Sequence, residues 1–497
     1  MKFTATIKAG VPVLIGAMMA LNAAESAAQE VCVDFDNFTA GTSGSSIVVP
    51  DMTLSTNSNS RPLMIFDTEN PTGGDADLGA PHQDFGGPGI GNGGKSGAAG
   101  ENANVLGEVL IISTNGNSSN PNDHAGGGDL IFTFDQPVTA TGVEVLDVDN
   151  GDDYEVHFYD NSGNLIQTNV YTGLGNNAFH SETFSIANVK EMVVELEGSG
   201  AVAKVCYEPL DSDGDGVADD LEDFPNDPTR SFTSNWPCCG SATLAFEDLW
   251  PNEGDYDFND LVIDYQFETV TNSNNFLVEV IATFEVIAFG AGYHNGFGFQ
   301  LPNSNINPAD ITVTGYNVGN LVNLGANGLE NGQSKPTIIV YEDSYDIMAH
   351  PGSGIGVNTT PGAPSVPTET ITITMTFSEG TFTANDLDIA NFNPFIFANE
   401  TRGREIHLPN YAPTDLADNS YFGTGDDDSN AGTGRYYKTA NNLPWAINVQ
   451  TGFDHMQEKV EITLGYNFFF NWAASSGATN STWNLPLPGN RNNSNLY

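Results

Sequence analysis

Between residues 211 and 228 the chain reads Asp211-Ser212-Asp213-Gly214-Asp215-Gly216-Val217-Ala218-Asp219-Asp220-Leu221-Glu222-Asp223-Phe224-Pro225-Asn226-Asp227-Pro228. So dense a run of carboxylates cannot pass through an apolar core, because an unpaired buried charge is strongly disfavoured. The run therefore divides the chain into residues 29–208, a linker over 209–230, and residues 231–497. Its spacing also carries chemistry. Acidic residues stand at loop positions 1, 3, 5 and 9, glycine at 6 and glutamate at 12. A hard cation such as Ca²⁺ takes about six to eight oxygens at about 2.3–2.6 Å, and alternating Asp residues converge when the chain wraps round it. The predicted ligands are Asp211, Asp213, Asp215, the Val217 carbonyl, Asp219 and Glu222, with Asp223 and Asp227 as further donors. Gly216 permits the sharp turn.

No long amphipathic helical pattern flanks this loop, which separates it from a helix–loop–helix EF-hand. With its trailing Asp and Pro residues the segment resembles a thrombospondin type 3 repeat, a calcium-wrapped linker. That resemblance implies Ca²⁺ as the cofactor, and extracellular modules often bind it at roughly 10⁻⁴–10⁻³ M.

The rest of the chain is acidic too. Against 14 Lys and Arg stand 64 Asp and Glu, a net charge of −50 over 497 residues. Nucleic-acid binding needs clustered cations, so that class is excluded, and anionic lipid would repel the protein. With 39% hydrophobic residues the chain is nonetheless rich enough to build cores.

Residues 1–28 read as a secretory signal peptide, with Lys2 and Lys8 before an apolar stretch and Ser26-Ala27-Ala28 at the cleavage site. No later segment is long and apolar enough to span a membrane. Cys32 follows Gln29-Glu30-Val31 without a small-residue lipobox, so lipid attachment is not expected. Export favours disulfides. Of the three pairings open to four cysteines we favour Cys32–Cys206, which bracket one candidate domain. Cys238 and Cys239 then form a vicinal disulfide or remain thiols.

Both large regions read as β structure, and the expected fold class is all-β: two β-sandwich or jelly-roll-like domains joined by the calcium-binding linker. In the first, strands are predicted at Val105–Ser113, Leu130–Phe134, Gly142–Val148, Tyr154–Tyr159, Asn164–Tyr171, Met192–Leu196 and Val202–Tyr207. Residues 73–100 hold 11 glycines in 28 positions and form a long loop. Asp67, Asn70, Asp75 and Asp77 are candidates for a calcium site ordering it. In the second region, Phe276–Phe289 places Phe276, Val278, Val280, Ala282, Phe284, Val286 and Ala288 on one face. Thr337–Tyr341, Thr370–Phe377 and Val460–Phe470 are further strands.

A second acidic stretch runs from Phe246 to Tyr265. In strand geometry Asp255, Asp257 and Asn259 share one face, and Tyr256, Phe258 and Asp260 share the other. Carboxylates this close repel one another unless a cation compensates. Asp255, Asp257, Asn259 and Asp260 are therefore assigned to a structural Ca²⁺.

From this stretch onward the chain resembles the LruC-domain proteins of bacterial surfaces. The resemblance runs through His294-Asn295-Gly296-Phe297-Gly298, Gly403-Arg404-Glu405-Ile406-His407-Leu408-Pro409, Pro413-Thr414-Asp415-Leu416, Asn442-Leu443-Pro444-Trp445-Ala446-Ile447 and Phe470-Asn471-Trp472-Ala473. It covers roughly residues 231–485. It implies an exported, mostly β module with no catalytic residues to carry over.

Other signals carry less. Gly89–Ser96 satisfies the phosphate-loop pattern, but Pro81–Pro88 precedes it and Gly97-Ala98-Ala99-Gly100 follows, so the strand and helix that the cradle needs are missing. Neither a zinc-protease nor a hydrolase-elbow motif occurs. His294 and His407 read as hydrogen-bonded structural residues, and the five tryptophans read mainly as core. The expectation is a secreted or cell-surface protein, the periplasm remaining open as its compartment. It would be non-enzymatic, with a binding, adhesive or structural role at the bacterial envelope or matrix. The partner would be an extracellular glycan or matrix component. The alternative is a secreted carbohydrate-active enzyme or its glycan-binding accessory.

Overall fold

The computed structural model describes residues 30–58, 60–290, 292–451 and 453–497. The expected signal segment, 1–28, lies outside the described residues. The chain is all-β and divides into two compact units that meet at 228/229. No helix among the described residues is long and apolar enough to cross a membrane.

The first unit is an antiparallel sandwich. Its strands are β1 (Val31–Val33), β2 (Ser43–Gly44), β3 (Ser46–Val49), β4 (Met52–Thr56), β5 (Leu63–Asp67), β6 (Glu108–Ile112), β7 (Gly128–Leu146), β8 (Asp153–Tyr159), β9 (Leu165–Thr172), β10 (Phe179–Leu196) and β11 (Ala201–Pro209). The sheet runs β2-β5-β6-β11-β7-β10-β8-β9, with β1 on β11 and β4 on β7. The strands predicted separately at 130–134 and 142–148 are the two halves of β7. The first half pairs with β4 and the second with β11. Pro137, which offers no N–H, sits at the change of partner, and three register shifts in β10 bend the facing strand with it. The expected Cys32–Cys206 disulfide is present and ties β1 to β11, while Cys238 and Cys239 are free thiols, exposed, with Sγ atoms 2.7 Å apart.

Strands β5 and β6 are buried on both faces. Leu63, Ile65, Leu110 and Ile112 join the main core, whereas Met64, Phe66, Val109 and Ile111 pack with Leu78 of the glycine-rich loop. That loop is thus the cover of a second sheet face. It lies so close to residues 174–177 that a Cβ on Gly91 would fall 2.1 Å from the Asn176 carbonyl oxygen, and one on Gly94 2.2 Å from that of Asn177. Close approach accounts for these glycines and leaves the phosphate-loop resemblance without a role. Asp67, Asn70, Asp75 and Asp77 do not converge. The Asp67 carboxylate accepts from the Asn70 amide, and that of Asp75 accepts from Asn122 and the Asp123 N–H.

A buried acid in this unit sets a pH dependence. Asp147 is 2% exposed, adopts a left-handed φ of 67°, and accepts a 2.6 Å bond from the Asn177 N–H. Burial, then the negative charge of Asp77, push its carboxyl up to about 8. Burial pushes Asp123 up to about 7. Unfolded, both ionise near 4, so between about pH 4 and 8 the folded state holds more protons and stability falls as pH rises. In chelator, the first unit should melt at progressively lower temperature from pH 5 to pH 8. Asp147→Asn, which tolerates the same backbone, should flatten that slope and stabilise the unit at pH 8 by roughly 2–4 kcal/mol. A thermal melt of both proteins at each pH decides; an unchanged slope would exclude Asp147 as its source.

The second unit packs a seven-stranded sheet on a four-stranded one. The first comprises β12 (Phe232–Trp236), β13 (Ala242–Phe246), β14 (Leu261–Thr271), β15 (Leu277–Ala288), β17 (Ile311–Thr314), β19 (Glu369–Phe377) and β22 (Ala446–Val449). The second comprises β16 (Gly296–Gln300), β18 (Thr337–Tyr341), β20 (Asn393–Phe397) and β21 (Glu405–His407). Between them lies a core holding Phe267, Phe284, Phe297 and Phe299. Val280, Ala282, Phe284, Val286 and Ala288 are buried as their alternation predicts, but a register shift near Val278 places Leu277 inward instead. A one-turn helix, α1 (Ala384–Leu387), comes earlier in the chain, and the predicted strand at 460–470 is replaced by two short helices, α2 (Ile462–Gly465) and α3 (Phe469–Ala474). Ile462, Tyr466, Phe469 and Ala473 are all buried, and their 4-3-4 spacing is a helical stripe that a reading by alternation misses. With Trp483 they cover the outer face of β13, β14 and β22.

Candidate metal centres

The linker loop forms the ring that its sequence predicts, in part. Carboxylate oxygens of Asp211, Asp213 and Asp215 come within 4.8 Å of one another. Backbone N–H groups hold the loop open: Gly214 and Gly216 donate to the two oxygens of Asp211 at 2.7 and 3.1 Å, Asp215 to Asp213 at 3.1 Å, and Val217 to Asp215 at 2.8 Å. Gly214 and Gly216 take φ of 78° and 94°, which favour glycine. Asp213 Oδ2 and both oxygens of Glu222 are shielded from solvent without a hydrogen-bond partner. Burial, followed by the charges of Asp215 and Asp213, pushes Glu222 up to about 7. Asp219 departs from the prediction. Its two oxygens accept from the Ser212 N–H and hydroxyl, each at 2.7 Å, so it braces the loop. Asp223 and Asp227 stand outside the group of three; the Asp227 N–H donates to the Phe224 carbonyl at 3.0 Å. The Val217 side chain is buried.

The second acidic stretch differs more. Residues 255–260 are not a strand. Tyr256 and Phe258 take left-handed φ of 56° and 54°, so the chain coils tightly, drives both rings inward and turns the acids between them elsewhere. Tyr256 and Phe258 pack edge to face and meet Phe469. Oxygens of Glu247, Asp255 and Asp257 come within 4.8 Å of one another. Asp257 accepts from the N–H groups of Asn259 at 3.1 Å and Lys459 at 2.7 Å. Burial, then the charge of Asp255, pushes it up to about 7. Asp260, grouped with them by sequence, turns instead to Asp248, whose N–H donates to it at 2.8 Å, while Asn295 donates to the Asp248 carboxylate.

Two acids here were not assigned from sequence. Glu247 directly follows the wholly buried β13 and is itself fully buried. An acid directly after a strand with Thr243 as its one polar residue is a signal that could have pointed to it. Glu458, pushed up to about 8 by burial and then by Asp257 and Asp255, approaches from far along the chain and carries no such signal.

His294 and His407 are hydrogen-bonded, and the tryptophans pack in or against the cores. Buried His407 meets Asn393 Oδ1 at 2.7 Å and Glu405 Oε2 at 2.9 Å. His294, partly exposed, meets Asp343 at 2.5 Å, which raises its pKa. Trp250, Trp445 and Trp483 are buried, and Trp236 and Trp472 pack against the cores.

The model of a domain of unknown function, DUF4842, matches residues 275–484. That span includes Glu458 and begins after the 247–260 acids. No curated protein matches the chain. Among solved structures, a provisionally named lipoprotein of Bacteroides ovatus aligns with 82% of this chain and 98% of its own, at 16% identity and a TM-score of 0.42. Discoidin II of Dictyostelium discoideum aligns with 54% of this chain and 86% of its own, at 8% identity and a TM-score of 0.19. A truncated AlyQ with CBM32 and alginate lyase domains aligns with 56% and 89%, at 8% identity and a TM-score of 0.15.

Proposed function

We propose that this is a calcium-dependent, non-enzymatic binding or adhesive protein of the bacterial exterior, in which Ca²⁺ stiffens the linker after the first β unit. The carrying observation is the ring of Asp211, Asp213 and Asp215 with unpartnered oxygens on Asp213 and Glu222. Oxygens kept from water with no donor lose their hydration for nothing, whereas a divalent cation satisfies several at once. The thrombospondin type 3 and LruC resemblances fit an exported, surface-attached protein. Its ligand is read as a glycan or matrix component, since 14 Lys and Arg against 64 Asp and Glu suit nucleic acid poorly.

Limited proteolysis tests the linker. In millimolar Ca²⁺ the wild type should resist cleavage across 209–230, and in EDTA it should be cut there. Asp213→Ala with Asp215→Ala should be cut there even in Ca²⁺. Identical digestion with and without EDTA would refute calcium at this loop. Binding to a panel of immobilised polysaccharides without product release tests the role; turnover abolished by one Asp or Glu substitution would point to an enzyme instead.

A further inference from the structure

We propose that the second unit carries its own buried calcium clasp, in which Asn259 and Glu458, side by side at Gly290, complete the group of Glu247, Asp255 and Asp257. It shares no residue with the linker loop and joins parts of the chain that the sequence does not bring together. The acids alone would not make it a site. What does is that Glu247 Oε2, Asn259 Oδ1 and Glu458 Oε2 are shielded from solvent with no hydrogen-bond partner, and Glu247 and Asn259 are fully buried. A Cβ on Gly290 would fall 1.7 Å from Asn259 Oδ1 and 2.6 Å from Glu458 Oε2. Those two oxygens therefore lie side by side, and only glycine at 290 leaves room for them to approach. Donors elsewhere orient the same residues and leave these oxygens over. The Asn259 amide donates to the Met456 carbonyl at 3.2 Å, the Phe258 N–H to Glu247 Oε1 at 2.5 Å, and the Gly290 N–H to the Asn259 carbonyl at 2.6 Å.

The chemistry selects the ion. Four carboxylates and one amide offer only oxygen, the preference of a hard cation, and exclude a soft metal. Ligands arriving from separate segments suit the flexible, higher coordination of Ca²⁺ better than the strict octahedron of Mg²⁺. The consequence is mechanical. Glu458 and the Lys459 N–H bring in the segment that leads to α2 and α3, and Tyr256 and Phe258 of the ligand loop pack against α3. The ion thus fastens the C-terminal residues 453–497 to the sheet.

Equilibrium dialysis of the full exported chain against Ca²⁺, with metal counted by mass spectrometry, tests this apart from the linker. In the Asp213→Ala/Asp215→Ala background the protein should still bind one ion that Glu458→Gln or Gly290→Ala removes. In that background EDTA should increase cleavage within 453–497. Glu458→Gln lies on a half-buried, isosteric position and should keep the far-ultraviolet spectrum, so a folding failure of Gly290→Ala leaves the test intact. An ion count unchanged by Glu458→Gln, or no ion in the linker-deficient background, would overturn the clasp. Loss of linker protection alone bears on the earlier proposal and not on this one.

Discussion

Arg402→Met should lower the melting temperature of the second unit by on the order of 10 °C, from a loss of about 3–5 kcal/mol. The guanidinium binds Glu330 through two nitrogens, Nε at 2.6 Å and Nη2 at 2.5 Å, and reaches Glu405 through Nη1. It lies 5.0 Å from the Phe395 ring centroid and 5.5 Å from that of Phe397. Burial alone would raise the Glu405 carboxyl, but hydrogen bonds from His407 and Thr414 and the charges of His407 and Arg402 hold it at about 2. Methionine preserves the packing against the two rings and removes the charge. Glu330 and Glu405, both almost wholly buried, then keep the hydrogen bonds from Gln333 and Thr414 but lose the cation they share. Arg402→Lys should recover only part of the loss, because an ammonium cannot reproduce the two-nitrogen fork. Arg402→Met combined with Glu330→Gln and Glu405→Gln should recover more, since no buried charge is stranded. Thermal melts of the set check the account; a triple variant no better than Arg402→Met would show that packing, not charge, dominates.

Removing the Cys32–Cys206 bond should cost the first unit about 2–5 kcal/mol, or roughly 5–15 °C in melting temperature. The cysteines are 174 residues apart, so the bond restricts nearly the whole unfolded domain. Strand β1 has little else to hold it: its three residues are exposed or half-exposed, and its pairing is Val31 with Tyr207, Cys32 with Cys206 and Val33 with Val205. Cys32→Ala with Cys206→Ala should lower the melting of the first unit, leave that of the second in place, and speed amide exchange in β1 and its partner residues on β11. An unaltered first transition would mean that the strand ladder suffices without the bond.

Much of this architecture is legible locally. Alternation places Val280, Ala282, Phe284, Val286 and Ala288 inward because a strand repeats every two residues. The linker ring follows from contacts two to five residues apart, which sequence spacing controls directly. The same logic fails at 460–470, where a short apolar run fits both periods and only packing against β13 and β22 selects the helix. It also fails at Asp219, whose oxygens Ser212 takes, and at Asp260, which turns to Asp248. Motif residues such as Arg404 and His407 stand out in the sequence, but their work is visible only in three dimensions. The Arg404 guanidinium holds the Trp250 carbonyl at 2.9 and 2.6 Å, and His407 braces Glu405.

By itself, then, the sequence determined the all-β class and the acidic ring at 211–215, because each depends on composition or on neighbours within a few residues. Tertiary structure alone decided that Glu247 comes within 4.8 Å of Asp255 and Asp257, and that Glu458 reaches the Asn259 side chain beside Gly290. Such a meeting depends on the register of β13, β14 and β22, on two left-handed residues at 256 and 258, and on the absence of a Cβ at one position. None of these leaves a periodic mark in the chain, so local spacing only half announces these buried carboxylates.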